Sequence, residues 1–265
     1  GDDPEVASTD GYSNYNDTGE DWPVLSGYGT LIARMAEGLD IRLGARVHGL
    51  GEAEGGVRVE TSMGEMQAKA AIVTVSTNVL SSGAIRFAPG PAADFAAQAV
   101  YLPCGAFEKV AFTLTRLPPV LGDRRHLMVN PPDEAPALDF KVLDGAPPMI
   151  IATIAGHPAR ALMDMPEAER IVFVQSRLCL ALGADVADLI TGAACINWLH
   201  DPLILGSYSH AAPGYGQLRR NMIAADTGPI GFAGEAFSQN HQATAHGAYQ
   251  SGRDVAARLA TQLEL

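Results

Sequence analysis

The sequence predicts a mixed α/β fold in which an antiparallel lobe is inserted into a nucleotide-type domain. Three observations lead to this prediction. Residues 71–75 form a continuously apolar run, which is typical of a parallel strand covered on both faces. The middle of the chain, at 99–201, contains short β-type runs followed by a helical pattern and is expected to form the separate lobe. A short apolar run at 230–232 leads into a strong terminal helix at 244–263.

Residues 1–75 are predicted to form an irregular segment, a helix and two β-hairpins. Residues 1–24 are rich in Asp, Asn, Gly and Ser, which predicts an irregular segment. Apolar residues at helical spacing follow the Gly27-Tyr28-Gly29 turn and predict a helix that ends near Gly38. Short β-type runs, joined by turns at Gly55-Gly56 and Met63-Gly64, then predict strands at 41–43, 45–50, 57–61, 66–68 and 70–75.

The remaining elements follow from the same patterns. Residues 77–98 are predicted to be a loop with one short turn of helix. The inserted lobe is predicted to contain strands at 106–115, 125–129, 138–143 and 148–155, helices at 158–183 and 184–189, and a strand at 193–199. A glycine-rich loop at 201–217 precedes the last strand and the terminal helix.

Composition excludes several classes of protein. The chain has 265 residues, 47% of them hydrophobic, which is incompatible with a disordered chain. Its net charge of −12 argues against binding nucleic acid or an anionic membrane. No apolar run is long enough for a transmembrane helix. The three scattered cysteines, Cys104, Cys179 and Cys195, predict reduced thiols and a cytoplasmic protein rather than a disulfide framework or a zinc cluster.

Common catalytic motifs do not occur in this sequence. The seven histidines show no metal-ligand spacing, and the serine-hydrolase elbow, the Walker A loop and the GxGxxG loop are missing. The informative stretch is 228–259, in which a short strand ends at Gly234-Glu235 and a helix opens near Thr244. Small residues on the first turns of that helix allow a close backbone approach, and its positive end suits an anionic or electron-rich ligand group. A tightly packed core helix with a glycine face is the alternative.

The same stretch resembles a known flavin-binding signature. Phe232-Ala233-Gly234-Glu235, followed by His246-Gly247-Ala248-Tyr249-x-Ser251-Gly252, is similar to the C-terminal signature of the flavin-containing amine oxidases. That family includes monoamine, polyamine and L-amino-acid oxidases. Further matching segments recur in the family's order at 20–24, 27–29, 41–47, 72–75, 85–89, 109–110, 197–198 and 206–209.

The resemblance implies an FAD-dependent oxidoreductase that oxidises the C–N bond of a small amine or amino acid, with O₂ as the acceptor. It assigns residues 25–98 and 202–265 to a discontinuous, Rossmann-like FAD domain. It assigns residues 99–201 to a substrate domain with an antiparallel sheet and helices. The family's N-terminal segment with GxGxxG has no counterpart in this sequence. An N-terminal chain or subunit is therefore expected to complete the FAD site, and catalysis is expected only with that half.

The resemblance implies six cofactor-binding residues: Val47, Gly206, Ser207, Gly234, Glu235 and Ala245. The backbone of Val47 matches the adenine contact, and Glu235 matches the acid at the ribityl–pyrophosphate portion. Ala245 matches the amides that face the N1–C2=O edge of the flavin. Gly206 and Gly234 would let the backbone approach the cofactor. Ser207 stands where some members attach the flavin through cysteine, so FAD is expected to bind noncovalently.

The resemblance also implies four catalytic residues. Lys109 matches the lysine that holds a water near the flavin N5, and Trp198 matches a tryptophan beside the isoalloxazine. Tyr208 matches one wall of an aromatic cage that favours the neutral amine. Thr244 stands at the opposite wall, where several members carry tyrosine, which implies an open cage and a larger or different substrate.

Two other interpretations remain open from the sequence. One is a binding or assembly module that keeps the fold without FAD and without catalysis. The other is a related flavoenzyme, such as a carotenoid desaturase or a protoporphyrinogen oxidase. Lys109 and the Phe232–Glu235 signature favour amine oxidation over the latter.

Overall fold

The computed structural model describes residues 1–17, 19, 24–130 and 136–264. Most of the 20–24 segment that contributes to the family resemblance lies outside the described residues. The helices are α1 (Thr9–Ser13), α2 (Tyr28–Met35), α3 (Thr77–Ser81), α4 (Pro91–Gln98), α5 (Gly156–Met163), α6 (Glu167–Leu182), α7 (Leu218–Ala224) and α8 (Ala245–Gln262). The strands are β1 (Val47–Ala53), β2 (Gly56–Thr61), β3 (Gly64–Ala68), β4 (Ala71–Val73), β5 (Arg86–Phe87), β6 (Phe107–Leu114), β7 (His126–Val129), β8 (Leu138–Leu143), β9 (Met149–Ala155), β10 (Ile190–Ile196) and β11 (Ile230–Phe232).

The predicted hairpins are confirmed. In the sheet of order β3-β2-β1-β5, Ala53 pairs with Gly56 and Thr61 pairs with Gly64, so two-residue turns close both hairpins. The predicted strand at 41–43 is wrong. Residue 43 begins a turn that continues through Gly44, whose positive φ of 76° interrupts any extended run.

The predicted parallel strand is also present, but it is shorter than expected. β4 pairs in parallel with β11 in a two-stranded sheet of the described chain. With one neighbouring strand, β4 is not covered on all sides, and Ile72 keeps 39% of its surface exposed. The prediction of a parallel strand from the apolar run 71–75 is therefore confirmed, whereas the prediction that this strand is covered on both faces is wrong.

The middle of the chain forms the expected antiparallel lobe. Its sheet has the order β10-β6-β9-β8-β7, and α5 and α6 cover one face of it. Because side chains alternate along a strand, β6 turns Glu108 and Val110 towards this covered face and Phe107 and Lys109 towards the other. The covered face forms one hydrophobic core, which includes Phe112, Phe140, Ile150, Leu162 and Leu178.

Several predicted elements need correction. The single helix at 158–183 is wrong, because Pro166 separates α5 from α6; proline lacks the N–H that a helix interior needs and disfavours a helical residue before it. The last strand of the lobe spans 190–196 rather than 193–199.

The predicted loop 77–98 contains α3, β5 and α4. The side chain of Ser76 caps α3, and Pro91 opens α4. Helix α7 lies within a stretch for which no element was predicted.

A second hydrophobic core joins the two outer parts of the chain. Phe95 of α4 stacks on Phe232 of β11 at 4.2 Å between ring centroids and lies 5.2 Å from Phe237. The cluster continues through Leu50 and Met222. This core holds β11 and the loop that follows it in a fixed position before α8 begins.

The start of the chain is more ordered than predicted. Ser8 caps α1, and its backbone N–H donates to the carbonyl of Ala211 at 2.8 Å. Asp2 forms an ion pair with Arg160 of α5 at 2.5 Å. The described part of the predicted irregular lead-in thus contains a helix and contacts both Arg160 of the antiparallel lobe and Ala211 of the second core. Among the described residues, no helix is long and apolar enough to cross a membrane.

Candidate functional site

Two distant segments of the chain pair at the entrance to β6. The N–H of Ser207 donates to the carbonyl of Gly105 at 2.8 Å, and the N–H of Gly105 donates to the carbonyl of Tyr208 at 3.0 Å. The hydroxyl of Ser207 also donates to Gly105 at 2.9 Å. These bonds fix three predicted site residues, at 206–208, beside the strand that carries Lys109.

Packing within the chain itself explains the glycine at 206. Gly206 is buried with φ of 145°, and a Cβ there would lie 2.7 Å from the Cβ of Cys104. Asn78 fixes the same corner, since its amide donates to the carbonyl of Leu205 at 2.6 Å and its oxygen accepts the N–H of Cys104. The positive φ and the close approach of the Gly206 backbone to Cys104 are therefore sufficient reason for glycine at this position.

Tyr208 is enclosed by two other parts of the chain. The ring of Phe107 lies 5.5 Å away at 52°, and Gly1 approaches so closely that a Cβ there would lie 2.8 Å from the tyrosine ring. Burial raises the pKa of the Tyr208 phenol, and the nearby charge of Glu235 raises it further. Tyr208 consequently presents a neutral, half-buried aromatic surface at neutral pH.

Phe107 connects Tyr208 with Lys109. It lies two residues before Lys109 on the same face of β6, and the Lys109 ammonium is 5.6 Å from its ring centroid. Lys109 itself is exposed. Phe107 was missed from the sequence, although its i−2 position on the strand was the available signal.

Trp198 lies in the turn that follows β10. Its carbonyl accepts the N–H of Gly206 at 3.0 Å, which ties the turn to the segment of Tyr208. In the antiparallel register, Ile196 pairs with Lys109, so the turn begins beside the predicted catalytic lysine. Trp198 is 39% exposed, and no aromatic contact joins it to Tyr208 within the described chain.

Glu235 joins three segments. Its carboxylate accepts the N–H of Ser209 at 2.9 Å, the hydroxyl of Ser209 at 3.1 Å and the N–H of Ala243 at 2.7 Å. A carboxylate has about four acceptor positions, so one of them is still available to a ligand. The residue predicted to contact a cofactor therefore also holds the loop before α8 against the segment of Tyr208.

The buried guanidinium group of Arg219 contacts Ser209, one of the residues that bond to Glu235. Arg219 is 6% exposed and donates to the hydroxyl of Ser209 at 3.2 Å and to the carbonyl of Ala236. Burial lowers the pKa of Arg219, whereas the charge of Glu235 opposes that shift. Arg219, Ser209 and Glu235 thus form one chain of hydrogen bonds. Arg219 and Ser209 were missed because nothing in the local sequence links positions 209, 219 and 235.

Thr244 opens α8 as its N-cap. Its hydroxyl oxygen accepts the N–H of Gly247 at 3.0 Å and donates its proton to the carbonyl of His241 at 2.7 Å. The Thr244 hydroxyl therefore acts as both donor and acceptor in hydrogen bonds within the chain. What Thr244 presents to a ligand is its methyl group and the orientation of the helix.

The surface around the start of α8 fits an electron-rich ligand. Ala245 and His246 are exposed in the first turn, where a helix offers no acceptor to its own N–H groups. A Cβ built on Gly234 or on Gly252 would meet no atom within 4 Å, so the backbone there faces open space. This combination of exposed amides, a positive helix end and open glycines suits a flavin edge.

Nearly all of the predicted site residues are brought together by these contacts. Gly206, Ser207, Tyr208, Glu235 and Trp198 are joined directly or through one intervening residue. The following residues join the same group through Phe107, Ala243 or the start of α8: Lys109, Thr244, Gly234 and Ala245. Val47 lies apart at the start of β1. It packs against the second core, and no hydrogen bond in the described chain links it to the others.

Comparison with known proteins gives one consistent result. A sequence model of the family described as flavin containing amine oxidoreductase matches residues 5–260. Polyamine oxidase 4 of Oryza sativa subsp. japonica is 33% identical over 242 residues, which are 89% of this chain and 48% of the relative. The chain thus spans about half the length of that protein.

Solved structures give the same fold. Cyclohexylamine oxidase from Brevibacterium oxydans IH-35A superposes with a TM-score of 0.69 at 19% identity, covering 83% of this chain and 48% of that one. Wild-type putrescine oxidase bound to putrescine superposes with a TM-score of 0.72 at 19% identity, covering 89% of this chain and 53% of that one. At this identity the likeness establishes the α/β fold of the family and no more.

Proposed function

Because the chain belongs to the flavin-containing amine oxidoreductase family, we propose that it is part of an enzyme that oxidises the C–N bond of a small amine or amino acid. Its cofactor is FAD, held noncovalently, since Ser207 offers no thiol for attachment. We divide the chain accordingly into FAD-domain parts at 25–98 and 202–265 and a substrate domain at 99–201. The two separate hydrophobic cores support this division.

The observation that carries the proposal is the series of contacts that links Lys109, Tyr208 and Glu235 with the loop before α8. These residues come from three distant segments, and the family resemblance implies a role in the site for each of them. The N–H groups of Ala245 and His246, in the first turn of α8, have no acceptor within the helix. A fold kept only as a scaffold does not need these features together.

Each residue has a definite task in the proposed reaction. When bound, FAD would accept a hydride equivalent from the substrate carbon next to the nitrogen, and O₂ would take the two electrons with two protons to give H₂O₂. Tyr208, with Phe107 behind it, forms an apolar wall that favours the neutral amine and orients it. Lys109, whose ammonium group is exposed, would hold a water near the flavin N5. The α8 terminus, capped by Thr244, stabilises negative charge on the cofactor's electron-rich edge.

The remaining contacts hold this arrangement. Trp198 would pack beside the ring system of a bound flavin, and Gly234 would leave room for the backbone to approach it. Glu235 offers its free acceptor position to a cofactor hydroxyl, while Ala245 offers its N–H. Val47 would contribute backbone contacts to the adenine end, which is consistent with its distance from the other residues.

A further segment completes the FAD site. We propose that it lies in the same polypeptide or in a separate chain, because the described residues span about half of the relatives. Apolar side chains on and after α2 support this view, since Leu31, Ile32, Met35 and Leu39 are all at least 40% exposed. Such a patch is a typical surface for another part of a fold. The three free cysteines suit a reducing compartment such as the cytoplasm.

Flavin content and turnover test the proposed function. The protein carrying these residues is purified together with its completing segment and its visible spectrum is recorded. We expect a flavin spectrum, FAD released by denaturation, and peroxide on addition of an amine. Protein that takes up no added FAD contradicts the proposal and supports a non-catalytic module. Activity on a polyene without any amine turnover supports the desaturase interpretation.

A further inference from the structure

Glu108 is buried directly behind the proposed active site. It lies next to Lys109 on β6, but it points to the opposite face of the sheet and has no exposed surface. Its neighbours on that face, Ala106 and Val110, belong to the apolar core. Burying a carboxyl group among apolar side chains is costly unless hydrogen bonds compensate. An apolar residue would pack there at lower cost, so the carboxyl group calls for a specific role.

The hydrogen bonds of Glu108 lead to the turn that carries Trp198. One carboxyl oxygen accepts the N–H of Leu199 at 3.0 Å. Burial raises the pKa of Glu108, whereas the backbone N–H groups of Leu199 and Trp198 and, less strongly, the charges of Arg170 and His200 lower it. The second oxygen is buried and has no partner within the described chain. The bonding capacity that Glu108 uses is thus directed at the Trp198–Leu199 backbone.

The sheet register makes this contact specific. Ile196 at the end of β10 pairs with Lys109, so the following turn passes over Glu108. Other bonds hold the rim of the turn: the Asn197 amide donates to the carbonyl of Met163, and the N–H of Gly206 donates to the carbonyl of Trp198. Glu108 bonds to the same turn from the covered face of the sheet, through the N–H of Leu199.

We infer that Glu108 is a positioning residue that fixes the turn of Trp198 relative to Lys109. Adjacent residues of one strand then set two parts of the site: Lys109 faces the reacting atoms, and Glu108 anchors the tryptophan backbone. This inference rests on the proposed function for its catalytic meaning. The structural part, that Glu108 determines where Trp198 lies, is testable without any flavin.

The first experiment measures the position of Trp198 in the full chain. Trp22 is the only other tryptophan of this sequence, and a Trp22→Phe background makes Trp198 its only tryptophan emitter. In this background, Glu108→Leu removes the acceptor for the Leu199 N–H while keeping a buried apolar side chain. We expect a red-shifted Trp198 emission, stronger acrylamide quenching, and at least about tenfold faster hydrogen exchange at the Leu199 amide.

Two variants separate positioning from general destabilisation. Glu108→Gln keeps an oxygen for the Leu199 N–H and is expected to restore emission and exchange towards the parent values. Val110→Ala opens a cavity on the same face of the same strand, 1% exposed in the parent, without touching the turn. We expect it to lower stability while the Trp198 emission stays unchanged. If Glu108→Leu leaves emission and exchange at parent values, or Val110→Ala shifts them equally, the inference is overturned.

Turnover then tests the catalytic meaning. In the flavin-loaded protein, Glu108→Leu is expected to lower kcat about tenfold with little change in KM, because a displaced tryptophan misaligns the reacting groups. A change confined to KM overturns the catalytic meaning of Glu108. Protein that binds no flavin but shows the fluorescence shift refutes the proposed function and leaves the structural role of Glu108 established.

Discussion

Replacing Glu235 by glutamine tests the junction between the Tyr208 segment and the loop before α8. The substitution keeps the size of the side chain, but one of the two acceptor oxygens becomes an NH₂ donor. Hydrogen bonds to a charged group contribute about 1.5–3 kcal/mol each, and a buried donor left without an acceptor costs about 1–3 kcal/mol. The glutamine oxygen retains the two bonds at the Oε2 position or the single bond at Oε1, and the N–H of Ser209 or of Ala243 respectively then faces another donor. We therefore expect a loss of about 3 kcal/mol in the free energy of unfolding.

The assay is urea or thermal unfolding followed by circular dichroism at neutral pH. A loss of this size corresponds to a fall of about 6–12 °C in Tm for a protein of this length. Glu65→Gln is the matched control, because the Glu65 side chain is 51% exposed and lies 4.0 Å from Arg58. Its expected effect is below about 0.5 kcal/mol. A Glu235→Gln protein as stable as the Glu65→Gln control refutes the assignment of Glu235 as the residue that joins these segments.

Three further predictions address the site and its surroundings. Lys109→Met is expected to slow reduction of bound flavin by an amine at least about 100-fold while the flavin spectrum remains, as stopped-flow absorbance will measure; a parental rate contradicts the proposed role of the lysine. Gly247→Ala is expected to destabilise the protein by about 1–3 kcal/mol in urea unfolding, because the new Cβ would lie in contact with the carbonyl of His241; unchanged stability contradicts the close approach. Burial lowers the pKa of His210 below its ordinary 6.5, with the charge of Asp2 opposing, so the folded state favours the neutral ring and loses stability as pH falls from 6.5 towards the lowered value. His210→Asn is expected to flatten this fall in unfolding experiments across the acid range, and an identical slope in both proteins refutes it.

Local patterns predicted the elements whose cause is local. The hairpins at Gly55 and Gly64 follow from two-residue turns, and the alternation along β6 follows from a sheet with one covered face. The break at Pro166 was equally local, yet the apolar stripe that continues on both sides of it suggested one helix. In such a conflict, the missing N–H of proline prevails over hydrophobic periodicity.

The contacts that assemble the site depend on tertiary structure. Glu235 and Tyr208 were found through their place in a family signature, but no pattern predicts that Glu235 bonds to Ser209 or that Arg219 supports both. Phe107 was within reach, because it shares a strand face with Lys109. Interactions between segments about a hundred residues apart, such as Gly105 with Ser207, appear only once the chain is folded.

The central claim is that these residues form an amine-oxidising flavin site, and anaerobic reduction tests it most directly. The flavin-loaded protein is mixed with an amine such as putrescine without oxygen, and the visible flavin band is followed. The account predicts that the band bleaches with a rate that depends on the amine concentration, and that admitting oxygen restores it. A band that stays constant with every amine and amino acid tested, in protein that dithionite reduces normally, would contradict the claim.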